Sequence, residues 1–262
     1  MSVLEAILLG IIQGLTEFLP VSSSGHLVIG ETLLGVNAPG VAFEVVLHVA
    51  TLISVIVVYH ERLRKLIVGA LRGDREALRF IGLLALATVP AGLVGAFFED
   101  AIERAFDAPA VTGFMLLVTG FLLWSTRSRR TDVVIEDPAP RLALGIGVAQ
   151  AFAILPGISR SGATITAALW GRMSGERAAE FSFLLSIPAI VGAAVLQAPE
   201  IGDSWRTMGG APLFGGFVAA LVAGILAIRT LVWLLRRQAF YAFAYYVWIA
   251  GGLFLLTLAL GR

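Results

Sequence analysis

Six long apolar runs constrain this chain more than any other feature of its sequence. Each has the length of roughly 20 residues that an α-helix needs to cross a bilayer. Hydrophobic residues make up 58% of the chain and charged residues 14%, whereas soluble domains carry about 25% charged residues. The pattern predicts an all-α polytopic membrane protein with six transmembrane helices: Val41–Tyr59, Phe80–Phe98, Ala110–Ser125, Phe181–Gln197, Leu213–Leu235 and Tyr241–Leu260.

Four further apolar runs are too short to cross a bilayer, and each adjoins a break rich in Pro, Gly or Ser. Irregular backbone at membrane depth is tolerated only where it packs against protein or lines a cavity. The short runs therefore predict two re-entrant helix pairs, four short helices in all. They are Val3–Leu15 with His26–Leu34, and Leu142–Leu155 with Ala163–Gly171.

The charges alternate in sign between successive loops. Basic residues follow the first and third long runs, precede the fourth and end the fifth, whereas the loops between are acidic. Because cytoplasmic loops carry the excess of Lys and Arg, both termini are predicted to face outward. The first re-entrant pair then enters from outside and the second from the cytoplasm. No cleaved signal peptide and no nucleic-acid partner are expected, and the absence of cysteine excludes disulfides and thiolate metal sites.

The two halves of the chain repeat one motif order. Gln13, Leu19-Pro20 and Ser24-Gly25 are paralleled by Gln150, Leu155-Pro156 and Ser161-Gly162. Three long runs per half place the halves in opposite orientations, which predicts an inverted-topology repeat with its site at the repeat interface. Residues 1–262 form one membrane domain in this interpretation. Its halves are about 1–130 and 141–262, joined by a charged cytoplasmic loop at about 126–141.

The first break, Gln13-Gly-Leu-Thr-Glu-Phe-Leu-Pro-Val-Ser-Ser-Ser-Gly-His26, places a carboxylate, three hydroxyls and an imidazole together. Polar groups are costly at membrane depth and usually mark function there. Ser22, Ser23 and Ser24 are candidate nucleophiles, with Glu17 or His26 as the base. The structural alternatives are helix capping by the serines, a hydrogen-bonded histidine and an ion pair between Glu17 and Arg160.

The second break, Leu155-Pro-Gly-Ile-Ser-Arg-Ser-Gly-Ala-Thr164, has the composition of a phosphate cradle. Arg160 offers a fixed, charged fork for phosphate oxygens, and Ser159, Ser161 and Thr164 add hydroxyl donors. The alternative is a structural arginine paired with a carboxylate. Glu44 and His48 lie on one face of the first long run, where they either line the site or pair with each other.

Other phosphate chemistries fit the sequence less well. Histidine-dependent lipid phosphatases need a second histidine, but none follows Arg160. A two-metal phosphatase needs several clustered carboxylates or histidines, and the two breaks offer one firm carboxylate, Glu17. No Walker-type phosphate loop is present.

Taken together, the two breaks closely resemble the motifs of the bacterial undecaprenyl-diphosphate phosphatase family, which is linked to bacitracin resistance. The resemblance extends to Phe43-Glu-Val-Val and Glu180-Phe-Ser-Phe-Leu-Leu. It implies a multi-pass protein of the bacterial plasma (inner) membrane, surrounded by membrane lipids, with an active site open to the outer face. It implies hydrolysis of a polyprenyl diphosphate lipid, which recycles the carrier for peptidoglycan synthesis and lowers the diphosphate pool on which bacitracin acts.

The resemblance also assigns roles to residues. The catalytic serine, histidine and arginine of the family fall on Ser23, His26 and Arg160, and Gln13 and Glu17 fill its acidic motif. The predicted substrate-binding residues are Gln13, Ser22, Ser24, Gly25, Ser159, Ser161, Gly162 and Thr164. No cofactor is firmly implied. A divalent cation, Mg²⁺ or Ca²⁺, is left open with Glu17 as its candidate ligand, because Gln13 supplies no second carboxylate; a homodimer is also left open.

A different class of function competes with hydrolysis. Inverted repeats with broken helices are also a transporter architecture, which would suit a flippase for undecaprenyl phosphate or a carrier of another anion. The unequal content of the two breaks favours the enzyme. One break holds Glu17 and His26 and the other holds Arg160, a division of labour that an anion carrier does not require.

Overall fold

Helices dominate the computed structural model, which describes residues 1–34, 41–128, 135–196 and 209–260. Within those ranges the helices are α1 Val3–Phe18, α2 Ser23–Leu34, α3 Val41–Val58, α4 His60–Leu71, α5 Arg75–Phe97, α6 Glu99–Phe106, α7 Pro109–Trp124, α8 Pro140–Phe152, α9 Arg160–Trp170, α10 Gly175–Leu196, α11 Gly210–Arg236 and α12 Phe243–Ala259, with a 3₁₀ turn at Phe240–Ala242. The ten helices predicted from the apolar runs are confirmed. Helices α4 and α6 are additions.

Four helices are individually long and apolar enough to cross a membrane: α5, α10, α11 and α12 with its preceding 3₁₀ turn. Two more candidates qualify only as bent pairs, α3 with α4 at 77° and α6 with α7 at 95°. Phe97 and Phe214 are 76% and 70% exposed on the outer surface of these helices. Such exposure of large apolar side chains suits a lipid environment. The chain is therefore a helical integral membrane protein with four to six candidate spans in its described part.

The most extensive helix contacts join the N-terminal part of the chain to the C-terminal part. The short helix α1 packs along the long helix α11, and the short helix α8 packs along the long helix α5. Three further helix pairs also join the N-terminal part to the C-terminal part: α3 with α11, α5 with α10 and α7 with α12. Each part of the chain therefore packs a long helix against the short helix that leads into the break of the other part.

Small residues allow these helices to approach closely. A Cβ atom on Gly10 or Gly14 of α1 would overlap the backbone oxygens of Gly216 or Ala220 on α11. In the same way, a Cβ on Gly147 of α8 would overlap the backbone of Ala87 on α5. Small residues at helix interfaces are the usual means of close packing in membranes, so the positions of α1 and α8 depend on these contacts.

Aromatic packing next to the two breaks joins the helices that carry them. The ring of Phe18 meets the ring of Phe183 edge-on at 5.4 Å between centroids, and both side chains are fully buried. Because Phe18 follows Glu17 and Phe183 follows Ser182, this contact holds the end of α1 close to the first half of α10.

Gly147→Ala is expected to lower the free energy of unfolding by about 1–3 kcal/mol, because the added methyl overpacks the α5–α8 contact. Gly145→Ala on the same helix is the matched control, since a Cβ there meets nothing within 4 Å. The control should be neutral or slightly stabilising. Thermal or denaturant unfolding of the two variants in detergent measures the difference, and equal stability would contradict the close packing of α8.

Candidate active site

The first break is a tight turn that brings the start of α2 close to the end of α1. Leu19 leaves α1 in an extended conformation, and Ser22 is left-handed at φ 72°. The hydroxyl of Ser22 lies 3.5 Å from the backbone N–H of Gly25 in the first turn of α2. The chain reverses over four residues as a result, and Glu17 and Ser23 come within hydrogen-bond distance of each other.

The second break is held by a threonine of α7. The hydroxyl of Thr119 donates to the carbonyl of Gly157 at 2.9 Å and accepts from the backbone N–H of Ser159 at 3.1 Å. Gly157 adopts φ 93° and lies so close to Thr112 that no side chain would fit. Ser159 then caps α9 by accepting from the N–H of Gly162 at 3.1 Å. These contacts fix the point at which Arg160 begins α9.

Glu17 is the group at which the two breaks meet. Its Oε1 accepts from Nη2 of Arg160 at 2.5 Å. Its Oε2 accepts from Oγ of Ser23 at 2.8 Å and from Nε2 of Gln13 at 3.1 Å, and Nε2 of His48 lies 3.7 Å away. The Glu17 side chain is only 7% exposed. The ion pair, which the sequence left as a structural alternative, and the serine–carboxylate pair therefore share one buried carboxylate.

These groups face a cavity of about 180 Å³. Six of the predicted site residues line it: Glu17, Ser22, Ser23, Ser24, Ser159 and Arg160. The remaining lining residues are Thr16, His48, Phe106, Ala153, Ile154 and Ile158. The cavity thus combines a hydroxyl bonded to a carboxylate with an arginine, which is the set needed to bind and attack a phosphate.

His26 is engaged outside the lining of this cavity. Its Nδ1 lies 2.8 Å from the carbonyl oxygen of Ser22, which can only accept, so Nδ1 carries the proton. Its Nε2 then accepts from the hydroxyl of Tyr246 at 2.7 Å, and the two rings stack at 5.6 Å. Both ring nitrogens are occupied, and neither is bonded to Ser23. In this arrangement His26 secures the left-handed Ser22 turn.

Several predicted phosphate ligands form the support behind the cavity. Ser161 bonds to the carbonyl of Leu19 at 3.3 Å, and Thr164 bonds to the hydroxyl of Ser182 at 2.6 Å. The side chains of Ser161 and Thr164 are fully buried. Gln13 supports Glu17 from the preceding turn of α1, while Gly25 and Gly162 provide backbone N–H groups to the serine caps. Their contacts in this structure orient the lining residues.

The donors at the site do not fit a cation held by the protein alone. Mg²⁺ and Ca²⁺ take at least about six oxygen ligands. Among the described residues no three His, Cys, Asp or Glu side chains gather where a metal would bind. Both oxygens of Glu17 are engaged by Arg160 and Ser23, and Gln13 offers one buried, unpaired amide oxygen. No catalytic step is therefore assigned to a cation.

Sequence reasoning left His48 open and did not find Tyr246 or Phe106. His48 lines the cavity, and its Nδ1 donates to the carbonyl of Glu44 at 2.7 Å, which turns Nε2 toward Glu17. Tyr246 lies 220 residues from His26 along the chain. No local pattern could reveal such a contact. The four-residue spacing of Glu44 and His48 was the sequence signal for His48. It could not decide whether the two residues line the site or pair with each other.

The fold and the site define a helical integral membrane protein with a buried serine, carboxylate and arginine at one cavity. The chain belongs to the bacitracin resistance protein BacA family, whose model matches residues 6–253. It is 41% identical to an undecaprenyl-diphosphatase of Alkaliphilus metalliredigens, with 98% of each chain covered. It is 44% identical to an undecaprenyl-diphosphatase of Syntrophotalea carbinolica, covering 97% of this chain and 98% of the relative. A third, from Salinibacter ruber, is 43% identical, with 95% and 97% covered.

Glu17→Gln and Arg160→Gln should each destabilise the protein by about 3 kcal/mol, because each leaves the other group buried without its partner. The double variant should lose less than the sum of the two. Arg236 and Glu176 form the control pair at 2.8 Å, with side chains 61% and 52% exposed, and their coupling should stay below about 1 kcal/mol. Unfolding of all variants in detergent gives both couplings. Additive losses at Glu17 and Arg160 would show that the buried pair is not coupled.

Proposed function

We propose that this protein hydrolyses undecaprenyl diphosphate to undecaprenyl phosphate and inorganic phosphate. Membership of the family and the undecaprenyl-diphosphatase relatives support the substrate and the reaction. The observation in the structure that supports it best is the hydrogen bond from Ser23 to Glu17 beside Arg160. The reaction returns the carrier lipid to peptidoglycan synthesis and lowers the diphosphate pool, which accounts for bacitracin resistance.

In the first step Oγ of Ser23 attacks the terminal phosphorus while its proton passes to Oε2 of Glu17. The bond between that phosphorus and the bridging oxygen breaks, and undecaprenyl phosphate leaves with the electron pair. Water then attacks the phosphorus of the phosphoserine, and the bond between that phosphorus and Oγ breaks. Glu17 returns its proton to Oγ, and phosphate leaves with both protons of the water. Direct attack by water, with Ser23 only positioning the phosphate, is the second route.

The ion pair couples proton transfer to charge stabilisation. Before reaction the charge of Arg160 is offset by the carboxylate of Glu17. When Glu17 takes the proton of Ser23 its charge disappears, and the positive charge of Arg160 becomes available to the phosphate oxygens. The contact of Arg160 Nη1 with the carbonyl of Ser182 is long, at 3.5 Å, so Nη1 can turn to the phosphate. A preorganised donor of this kind stabilises charge that develops in the transition state.

His26 serves this mechanism as a positioning residue. The imidazole holds the carbonyl of Ser22 from one side and the hydroxyl of Tyr246 from the other. Because Ser23 follows the left-handed Ser22 directly, the ring orients the nucleophile without touching it. Glu17 occupies the position of the base, since it is the group bonded to the hydroxyl of Ser23.

Ser23→Ala should reduce turnover by about 10³-fold or more, because the nucleophile is lost. Arg160→Lys should cost about 10²-fold, since the point charge remains but the planar fork is lost. Ser125→Ala is the control, since its hydroxyl bonds to the carbonyl of Leu122 and does not line the cavity. Phosphate release from undecaprenyl diphosphate by purified protein provides the comparison. Near-normal turnover by the Ser23 variant would exclude Ser23 as the nucleophile. Near-normal turnover by the Arg160 variant would contradict the proposed mechanism as a whole.

The proposed orientation puts both termini outside and opens the cavity to the outer face of the plasma membrane. The halves, about 1–130 and 141–262, form an inverted repeat within one membrane domain. Two observations support this arrangement. Basic residues concentrate in alternate loops, and the packing of α1 on α11 is reciprocated by that of α8 on α5.

Single cysteines test the orientation directly, because the chain has no cysteine to remove. Asp107→Cys, in the exposed turn after α6, should react with a membrane-impermeant maleimide in intact spheroplasts. Arg72→Cys, exposed at the end of α4, should react only after permeabilisation, because basic loops stay in the cytoplasm. The reverse labelling pattern would invert the proposed topology.

A further inference from the structure

Part of the cavity lining is apolar and has no part in the chemistry assigned above. The large apolar side chains in it are Phe106 of α6 and Ile154 and Ile158 of the second break. A site that handled only free diphosphate would have no use for an aromatic ring beside its phosphate ligands. The mixed lining instead fits a ligand that changes from charged to apolar within the length of the cavity.

The size of the cavity limits which part of such a ligand it can hold. Pockets that enclose drug-sized ligands measure about 300–1,000 Å³, whereas this one measures about 180 Å³. It suits a diphosphate but cannot enclose a polyprenyl chain. The polyprenyl chain must therefore leave the cavity beside the diphosphate. The apolar part of the lining is where it can do so without desolvating the polar groups that bind the phosphates.

The ring of Phe106 is presented by a helix that contributes nothing to the core. No residue of α6 is buried, and its main contacts are with α5 and α7, its neighbours in the sequence. The helix carries Glu99, Asp100 and Glu103 and turns 95° away from α7. An amphipathic helix with this geometry is suited to lie in the membrane interface. Phe106 is 46% exposed, so its ring is available to a ligand.

We propose that Phe106 and Ile154 form a subsite for the first isoprene units beside the diphosphate. The inference rests on the proposed function and adds the residue that recognises the lipid part of the substrate. Flat, apolar isoprene units pack against the aromatic ring, while Arg160 holds the terminal phosphate. Phe106 thereby determines how well a prenyl diphosphate binds, and it takes no part in the chemical step.

Phe106→Ala should raise KM for undecaprenyl diphosphate about tenfold, the loss expected when much of the burial of a phenylalanine is removed. The value of kcat should change less than twofold, because the ring touches neither phosphorus nor nucleophile. Phe106→Leu should restore most of the affinity, since it keeps an apolar side chain. Phe98→Ala is the matched control: Phe98 is 59% exposed at the start of α6 but does not line the cavity.

The division between KM and kcat separates the subsite from a structural role. A fall in kcat with unchanged KM, or an equal effect of Phe98→Ala, would overturn the subsite while the proposed function stands. An unchanged KM in the Phe106→Ala variant would overturn it as well. If the unaltered protein releases no phosphate from undecaprenyl diphosphate, the proposed function fails, and the ligand assigned to Phe106 fails with it.

Discussion

The buried ion pair between Glu17 and Arg160 is the interaction on which the arrangement of this molecule depends. Each group by itself would be costly at membrane depth, because desolvation of an unpaired charge is unfavourable by several kcal/mol. Together they bring the end of α1 to the start of α9, across 143 residues of sequence. The two breaks must then meet, and the helices that carry them must pack so that the ion pair stays buried in protein.

The packing of the long helices satisfies that requirement. A broken helix exposes backbone groups that lipid cannot satisfy, and the reciprocal contacts of α1 with α11 and of α8 with α5 cover both broken helices. Gly14 and Gly147 allow the approach because a side chain at either position would meet a backbone oxygen. The buried ion pair of the site therefore requires the close packing of the helices around it.

Within the site, position decides the role of each polar group more than its chemical type does. Two histidines lie near the serine turn, but His26 is committed to Ser22 and Tyr246, whereas His48 faces Glu17. Among the neighbouring serines, Ser23 is the one bonded to the carboxylate. In the proposed mechanism, the groups that share the cavity with Arg160 carry the chemistry, and His26 only positions Ser23.

The sequence by itself determined ten of the helices and the two breaks, because these depend on local hydrophobicity and on Pro, Gly and Ser signals. It also brought Glu17, Ser23 and Arg160 forward, since charged and hydroxyl groups inside apolar segments stand out against their surroundings. Only the tertiary structure decided that Ser161 and Thr164 face protein and that His48 and Phe106 line the cavity. Those outcomes depend on contacts between segments far apart in the chain, and helical periodicity cannot encode which distant face a side chain will meet.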